Sequence, residues 1–155
     1  MRLYPPGSWG PKSIHQLIAP HAWRLPFERA VQHLLETPLV CDCLLLVSGT
    51  QPDEFAVVER APTRGVMRRG ERGQIAVTND YRVLNVASQR GVDSLRTTSD
   101  ARYDTTCVRV ASEAPADSEA CLRILSDKRV RMDITVQQAV MSAANGTLVA
   151  TAVFR

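Results

Sequence analysis

A polar cluster stands where an apolar run stops: Gln74-Ile-Ala-Val77 leads into Thr78-Asn79-Asp80-Tyr81-Arg82. An asparagine amide at the end of a strand can donate to an oxygen that gains negative charge as an acyl carbon is attacked. Removing such a donor costs about 2.7 to 4 kcal/mol of transition-state stabilisation. The same Asn79-Asp80 pair also suits an ordinary turn, because both side chains hydrogen-bond nearby backbone and tolerate left-handed conformations.

Other chemistry-bearing residues have weaker spacing. Cys41-Asp-Cys43 with His33 contains metal-ligand types. Strand alternation, however, puts both thiols on one face, and structural zinc sites use four ligands with wider cysteine spacing. Burial as inert thiols is the expectation, with neither a metal nor a cofactor implied. His15 and His21 flank Pro20 in a loop-rich region where a general base could serve a nucleophile, but no Ser or Cys partner is evident. Arg68, Arg69 and Arg72 mark a charged hairpin tip, which is ordinarily a solvated one. Asn145-Gly-Thr147 matches a glycosylation sequon, yet Asn-Gly is first of all a hairpin turn.

The elements that must position these residues follow from periodicity. Residues 1 to 25 are loop-rich, with Pro5, Pro6, Gly7, Gly10 and Pro11 at their start, and residues 26 to 155 form the domain. Phe27, Ala30, Val31, Leu34 and Leu35 recur at helical spacing ahead of Pro38 and predict a helix starting near Pro26. Cys43-Leu-Leu-Leu-Val47 and Phe55-Ala-Val-Val58 predict strands, the first covered on both faces and holding Cys41 and Cys43 in a buried setting. Gly65 to Arg68 and Gln74 to Thr78 predict two more, joined by a turn at Arg69 to Gly73 and completing an antiparallel set.

A helix is predicted between Ser99 and Ala111, with Ser99 or Asp100 as its cap. A second runs from Ser118 to Ser126, capped by Asp117, with Cys121, Ile124 and Leu125 facing inward. Asp133 to Ala143 and Thr147 to Phe154 close the chain as a hairpin around Asn145-Gly146. Helix, strands, helices and strands in separate blocks imply an α+β fold with antiparallel strands.

Composition narrows the function classes. The 155 residues suffice for one domain, and 45% apolar with 23% charged residues is the balance of an ordinary globular protein. The net charge of +3, from 19 basic and 16 acidic residues, is interleaved along the chain rather than gathered as a nucleic-acid footprint. No apolar run approaches a membrane span, and the N-terminus has no secretory h-region, so a reduced, cytoplasmic chain is expected.

Several of these blocks together resemble the acid ceramidase, N-acylethanolamine acid amidase and acyl-CoA:6-aminopenicillanate acyltransferase group of N-terminal-nucleophile (Ntn) hydrolases. Thr78-Asn79-Asp80-Tyr81-Arg82 looks like the strand-ending segment whose Asn helps form that family's oxyanion hole. Cys43-Leu-Leu-Leu-Val-Ser-Gly-Thr50 and Glu54-Phe-Ala-Val-Val-Glu-Arg60 resemble the strand, Gly-turn and strand before it. Ser99-Asp-Ala-Arg-Tyr103 resembles the Arg-bearing helix start after it, and Leu122-Arg-Ile-Leu-Ser-Asp-Lys128 with the final hairpin resembles the family's ending. The likeness runs from about Phe27 to Arg155.

The resemblance implies the C-terminal portion of an αββα sandwich, with helices packed on the outer faces. It also implies a linear-amide hydrolase or acyltransferase acting on N-acyl substrates. Asn79 would be the oxyanion donor and Arg102 a site arginine, with Arg96 as the alternative. The departure is equally specific. The family's nucleophilic Cys is followed by an Arg-Asn-Leu-Asp type segment, and nothing like it follows Cys41 or Cys43. The expectation is a truncated frame, a split subunit or a non-catalytic interaction domain. Each needs a partner, either the missing N-terminal part or a second copy, because half a sandwich exposes an apolar sheet face.

Overall fold

The computed structural model describes Ser13, residues 24–84 and residues 93–153, with side chains of the last segment described from Thr97 onward. The remainder of the loop-rich segment, including His15 and His21, lies outside the described residues, as does the Arg96 side chain.

Helix α1, Phe27–Glu36, begins directly after Pro26, whose carbonyl accepts from Ala30 N at 2.9 Å. Its stripe of Phe27, Ala30, Val31 and Leu34 is buried as the spacing requires. The helix closes at Thr37, whose N–H donates to His33 O, and Pro38 prevents continuation.

Strands β1 (Cys43–Ser48), β2 (Phe55–Ala61) and β3 (Arg64–Arg69) form an antiparallel sheet in the order β1-β2-β3. The register aligns Leu45, Val58 and Met67 in one row and Leu44, Glu59 and Val66 in the next. Ala56 and Val58 face α1 and join Phe27, Val31, Leu34 and Leu39 in the core. The strand covered on both faces is β2, not β1: Ala56 through Ala61 are all buried, whereas Leu46 on β1 is 57% exposed. Sequence alone assigned that place to β1 because its apolar run is longer. Position in the sheet decides the matter, and β1 is an edge.

The predicted fourth strand does not form. An Arg72-Gly73 turn, with φ of 53° and 76°, closes a single bridge between Glu71 and Gln74. Beyond it, Ala76 O accepts from Arg68 Nη2 at 2.5 Å, so a side chain takes the carbonyl that a ladder would have used.

Helix α2 spans Asp93–Glu113 and starts upstream of the expected caps. Ser99 lies inside it, fully buried, and Asp100 is exposed and paired with Arg82. Helix α3, Ser118–Leu125, is capped as expected: Asp117 accepts from Ala120 N at 2.7 Å, and Ile124 is buried. Strands β4 (Gln137–Ser142) and β5 (Thr147–Ala152) pair around Asn145-Gly146, with Gly146 at φ 68° and Asn145 Oδ1 accepting from Thr147 N and Oγ1. Gln138 ties this hairpin to α3, donating to Leu125 O at 2.6 Å and accepting from Ser126 Oγ at 2.9 Å.

The class is therefore α+β, with antiparallel sheets of three and two strands. No helix among the described residues is long and apolar enough to cross a membrane.

Candidate functional site

The polar cluster at residues 78–84 is a turn held between β2 and α2. Ser99 Oγ donates to Thr78 Oγ1 at 2.8 Å, and Arg102 Nη2 donates to Asn79 Oδ1 at 2.8 Å. The two residues singled out from the sequence thus meet, although 23 positions separate them. A guanidinium only donates, so Arg102 determines which end of the amide it faces and leaves Nδ2, a donor, directed elsewhere. Asn79 is exposed and Arg102 half-buried.

The same turn is anchored from beneath by two charged residues in the middle of β2. Glu59, 0% exposed, accepts from Arg82 N (2.9 Å), Val83 N (2.9 Å), Leu84 N (2.8 Å) and Arg68 Nε (3.1 Å). Burial pushes its carboxyl up. The hydrogen bonds from Leu84, Arg82, Val83 and Arg68 outweigh that and hold it below the usual glutamate value. Arg60, pointing to the opposite face, donates to Leu35 O and to Thr37 O, the latter at 2.6 Å, and so satisfies carbonyls at the end of α1. Gly65 lies opposite Arg60 in the register. A Cβ there would come within 2.7 Å of the Arg60 side chain, which explains a glycine inside a strand. Tyr81 Oη donates to Arg60 O, and burial followed by Asp42 pushes its phenol up to about 12.

Beside the turn, Arg82 pairs with Asp100 at 2.7 Å and lies 3.9 Å from the Tyr103 ring centroid; Arg68 approaches the same ring at 5.9 Å. Tyr103 opens onto a cleft of about 360 Å³ between β3 and α2, walled by Ile75, Ala76, Val83, Cys107 and Val110. That volume is at the small end of ligand pockets. Asn79 and Arg102 lie off its walls.

The cysteines are free, and their exposure differs from the expectation of burial. Cys41 precedes β1 and is exposed, because the strand starts only at Cys43. Cys43 is half-buried, and burial, then Cys41, raises its thiol pKa, opposite to what activates a nucleophile. His33 is engaged with Thr37 Oγ1 at 3.3 Å. Among the described residues no group of three or more His, Cys, Asp or Glu side chains converges as a metal site would require. Arg69 at the hairpin tip pairs with Glu28 on α1 at 2.6 Å rather than standing free for an anion.

Sequence reasoning missed Glu59, Arg60 and Tyr103. The available signal was Glu59-Arg60 placed between Val58 and Ala61 ahead of a Pro turn. Two charges inside an apolar run imply either that the strand has ended or that both charges are buried and partnered. No family model matches the sequence, and neither does any curated protein.

Proposed function

We propose that this chain is a fragment or subunit of a linear-amide hydrolase or acyltransferase acting on N-acyl substrates. In this reading Asn79 is the oxyanion donor and Arg102 orients it. The observation that carries the reading is the Asn79–Arg102 hydrogen bond, which aims an amide N–H₂ outward from a turn whose backbone is fixed at several points. A donor that needs no reorganisation as charge develops is what oxyanion stabilisation requires. The attacking group comes from a partner, either a separate N-terminal part or a second copy, since burial and then Cys41 raise the Cys43 thiol, opposite to what activates a nucleophile. The four free cysteines suit the reducing cytoplasm. Among the described residues Arg68, Arg82 and Arg109 engage carboxylates, in the pairs Arg68–Glu59, Arg82–Asp100 and Arg109–Asp127.

Titration of the ¹⁵N-labelled chain with octanoate, a product-like carboxylate, tests this. The Asn79 side-chain amide resonances shift, and Asn79→Ala abolishes binding. An unperturbed Asn79 amide at millimolar octanoate refutes the assignment. So does turnover of N-acyl amides by the isolated chain that Cys41→Ala or Cys43→Ala abolishes.

The exposed hairpin favours a second reading, a non-catalytic interaction domain. From Ile134 to Phe154 the sequence carries no charge, and β5 is exposed throughout. Met141 (75% exposed) and Leu148 (62%) sit opposite each other on one face. Uncharged, unprotected edges of this kind normally meet a partner. In this reading octanoate leaves Asn79 unmoved, and association depends on the hairpin.

A further inference from the structure

A buried carboxylate that needed only charge compensation would be satisfied by Arg68. Glu59 instead draws three consecutive backbone N–H groups onto itself, Oε1 taking Arg82 N and Oε2 taking those of Val83 and Leu84. Successive amides converge on one anion only when the chain curls into a concave nest. The carboxylate therefore dictates the backbone path of residues 82–84 rather than merely tolerating it.

Asn79 lies three residues upstream. Tyr81, between them, donates to the carbonyl of Arg60, the residue after Glu59. Two adjacent positions of the central strand thus hold both ends of the segment that leads back to Asn79. Arg102 and Ser99 approach the segment from α2. These helix contacts choose the amide's orientation, and the strand contacts choose where the amide sits.

We propose that Glu59 is a positioning residue for Asn79: its ionised carboxylate preorganises the 79–84 turn and so places the Asn79 amide for use as a donor. The proposal rests on the oxyanion reading of Asn79 for its functional meaning. The mechanical coupling can be measured without that reading.

Charged or titratable groups facing this region are Arg68 from β3, Asp42 ahead of β1, Tyr81 and Arg82 from the turn, Asp80 beside Asn79, and Asp100, Arg102 and Tyr103 from α2. In an acid titration of the ¹⁵N-labelled chain, the backbone amides of Arg82, Val83 and Leu84 move together as Glu59 takes a proton, with a midpoint below the ordinary glutamate value. Coupling requires the Asn79 side-chain amide to move with the same midpoint. In Glu59→Gln the shared titration is lost, because a carboxamide carries no titrating proton, and its NH₂ must face either Arg82 N with Arg68 Nε or the Val83 and Leu84 amides. Octanoate binding also weakens about tenfold or more at neutral pH.

Should E59Q fail to fold, D42N, D80N and D100N remove the other carboxyls around the turn one at a time, and the shared titration must persist in each. An Asn79 amide that stays still while the three backbone amides titrate overturns the proposal and leaves Glu59 a purely structural anchor. Octanoate failing to reach Asn79 while the shared titration is present sinks the hydrolase reading but not the coupling. The two failures are therefore distinguishable.

Discussion

The α1–sheet layer and the β4–β5 hairpin are built from similarly apolar strands and end in opposite states. In the first, Phe27, Val31 and Leu34 close over Ala56 and Val58, and even the charges of β2 are enclosed with their partners. In the second, Gln138 is the one buried residue among those described in the two strands, and its side chain is held by hydrogen bonds. The sheet has a third strand and a helix lying on it, whereas the hairpin has α3 along β4 and nothing over β5 among the described residues. Two-stranded hairpins are marginal alone. Local composition makes a strand, and cover makes it stable.

The largest test of this contrast removes the buried charge. Glu59→Ala leaves three backbone N–H groups and the Arg68 Nε without the acceptor they share, a carboxylate that is 0% exposed. Breaking a buried pair from one side typically costs about 3–5 kcal/mol, read as a drop in the urea midpoint. The pH dependence has a definite sign. Glu59's folded pKa is depressed, so its contribution is present above the unfolded value, about 4.3, and is lost as pH falls through the lower folded value. Stability measured from neutral pH downward therefore falls on the acid side of the ordinary glutamate range, and E59Q flattens that portion of the profile.

Leu34→Ala is next. The side chain is 6% exposed between α1 and the sheet, and a Leu→Ala cavity typically costs about 2–5 kcal/mol. The mirror substitution on the hairpin should cost almost nothing within the monomer, which is what separates the two regions.

The legible parts of the fold are those written in short-range pattern. The Phe27-Ala30-Val31-Leu34 stripe, the Asp117 cap and the Asn145-Gly146 turn each involve residues a few positions apart, and each stands where the spacing puts it. Ser99 misled because a serine ahead of an apolar period looks like a cap, while its actual partner, Thr78, is 21 residues away. Gln74 to Thr78 has strand composition, but Arg68 takes the Ala76 carbonyl. The site shows the same division. Spacing and resemblance point to Asn79 and Arg102, but they give no role to Glu59, which lies 23 to 25 positions from the amides it binds. Buried charges are explained by distant partners, and spacing carries no record of those.

A cap tests the middle of the scale. Asp117→Ala removes the acceptor of Ala120 N at the start of α3, worth about 1 kcal/mol. Because α3 carries the Gln138 contacts, its fraying should also loosen β4. Amide exchange in Val140 and Met141 rises in D117A, while exchange in Val57 and Val58 is unchanged. If both strands respond alike, the two regions are one cooperative unit and the contrast between them fails.

Leu148→Asp has the smallest expected effect on stability and the most specific one on association. The side chain faces solvent beside Met141, so the monomer's unfolding free energy should change by no more than about 0.5 kcal/mol, the range of ordinary surface substitutions. A charge on an otherwise uncharged strand nevertheless opposes pairing with any neutral strand edge or apolar sheet. Sedimentation across a concentration series should show association in the parent chain and its loss in L148D, with the thermal midpoint unmoved at concentrations where the parent is monomeric. A large destabilisation of L148D at concentrations where the parent is monomeric would mean that the hairpin is already covered within the chain, and the asymmetry between the two regions would disappear.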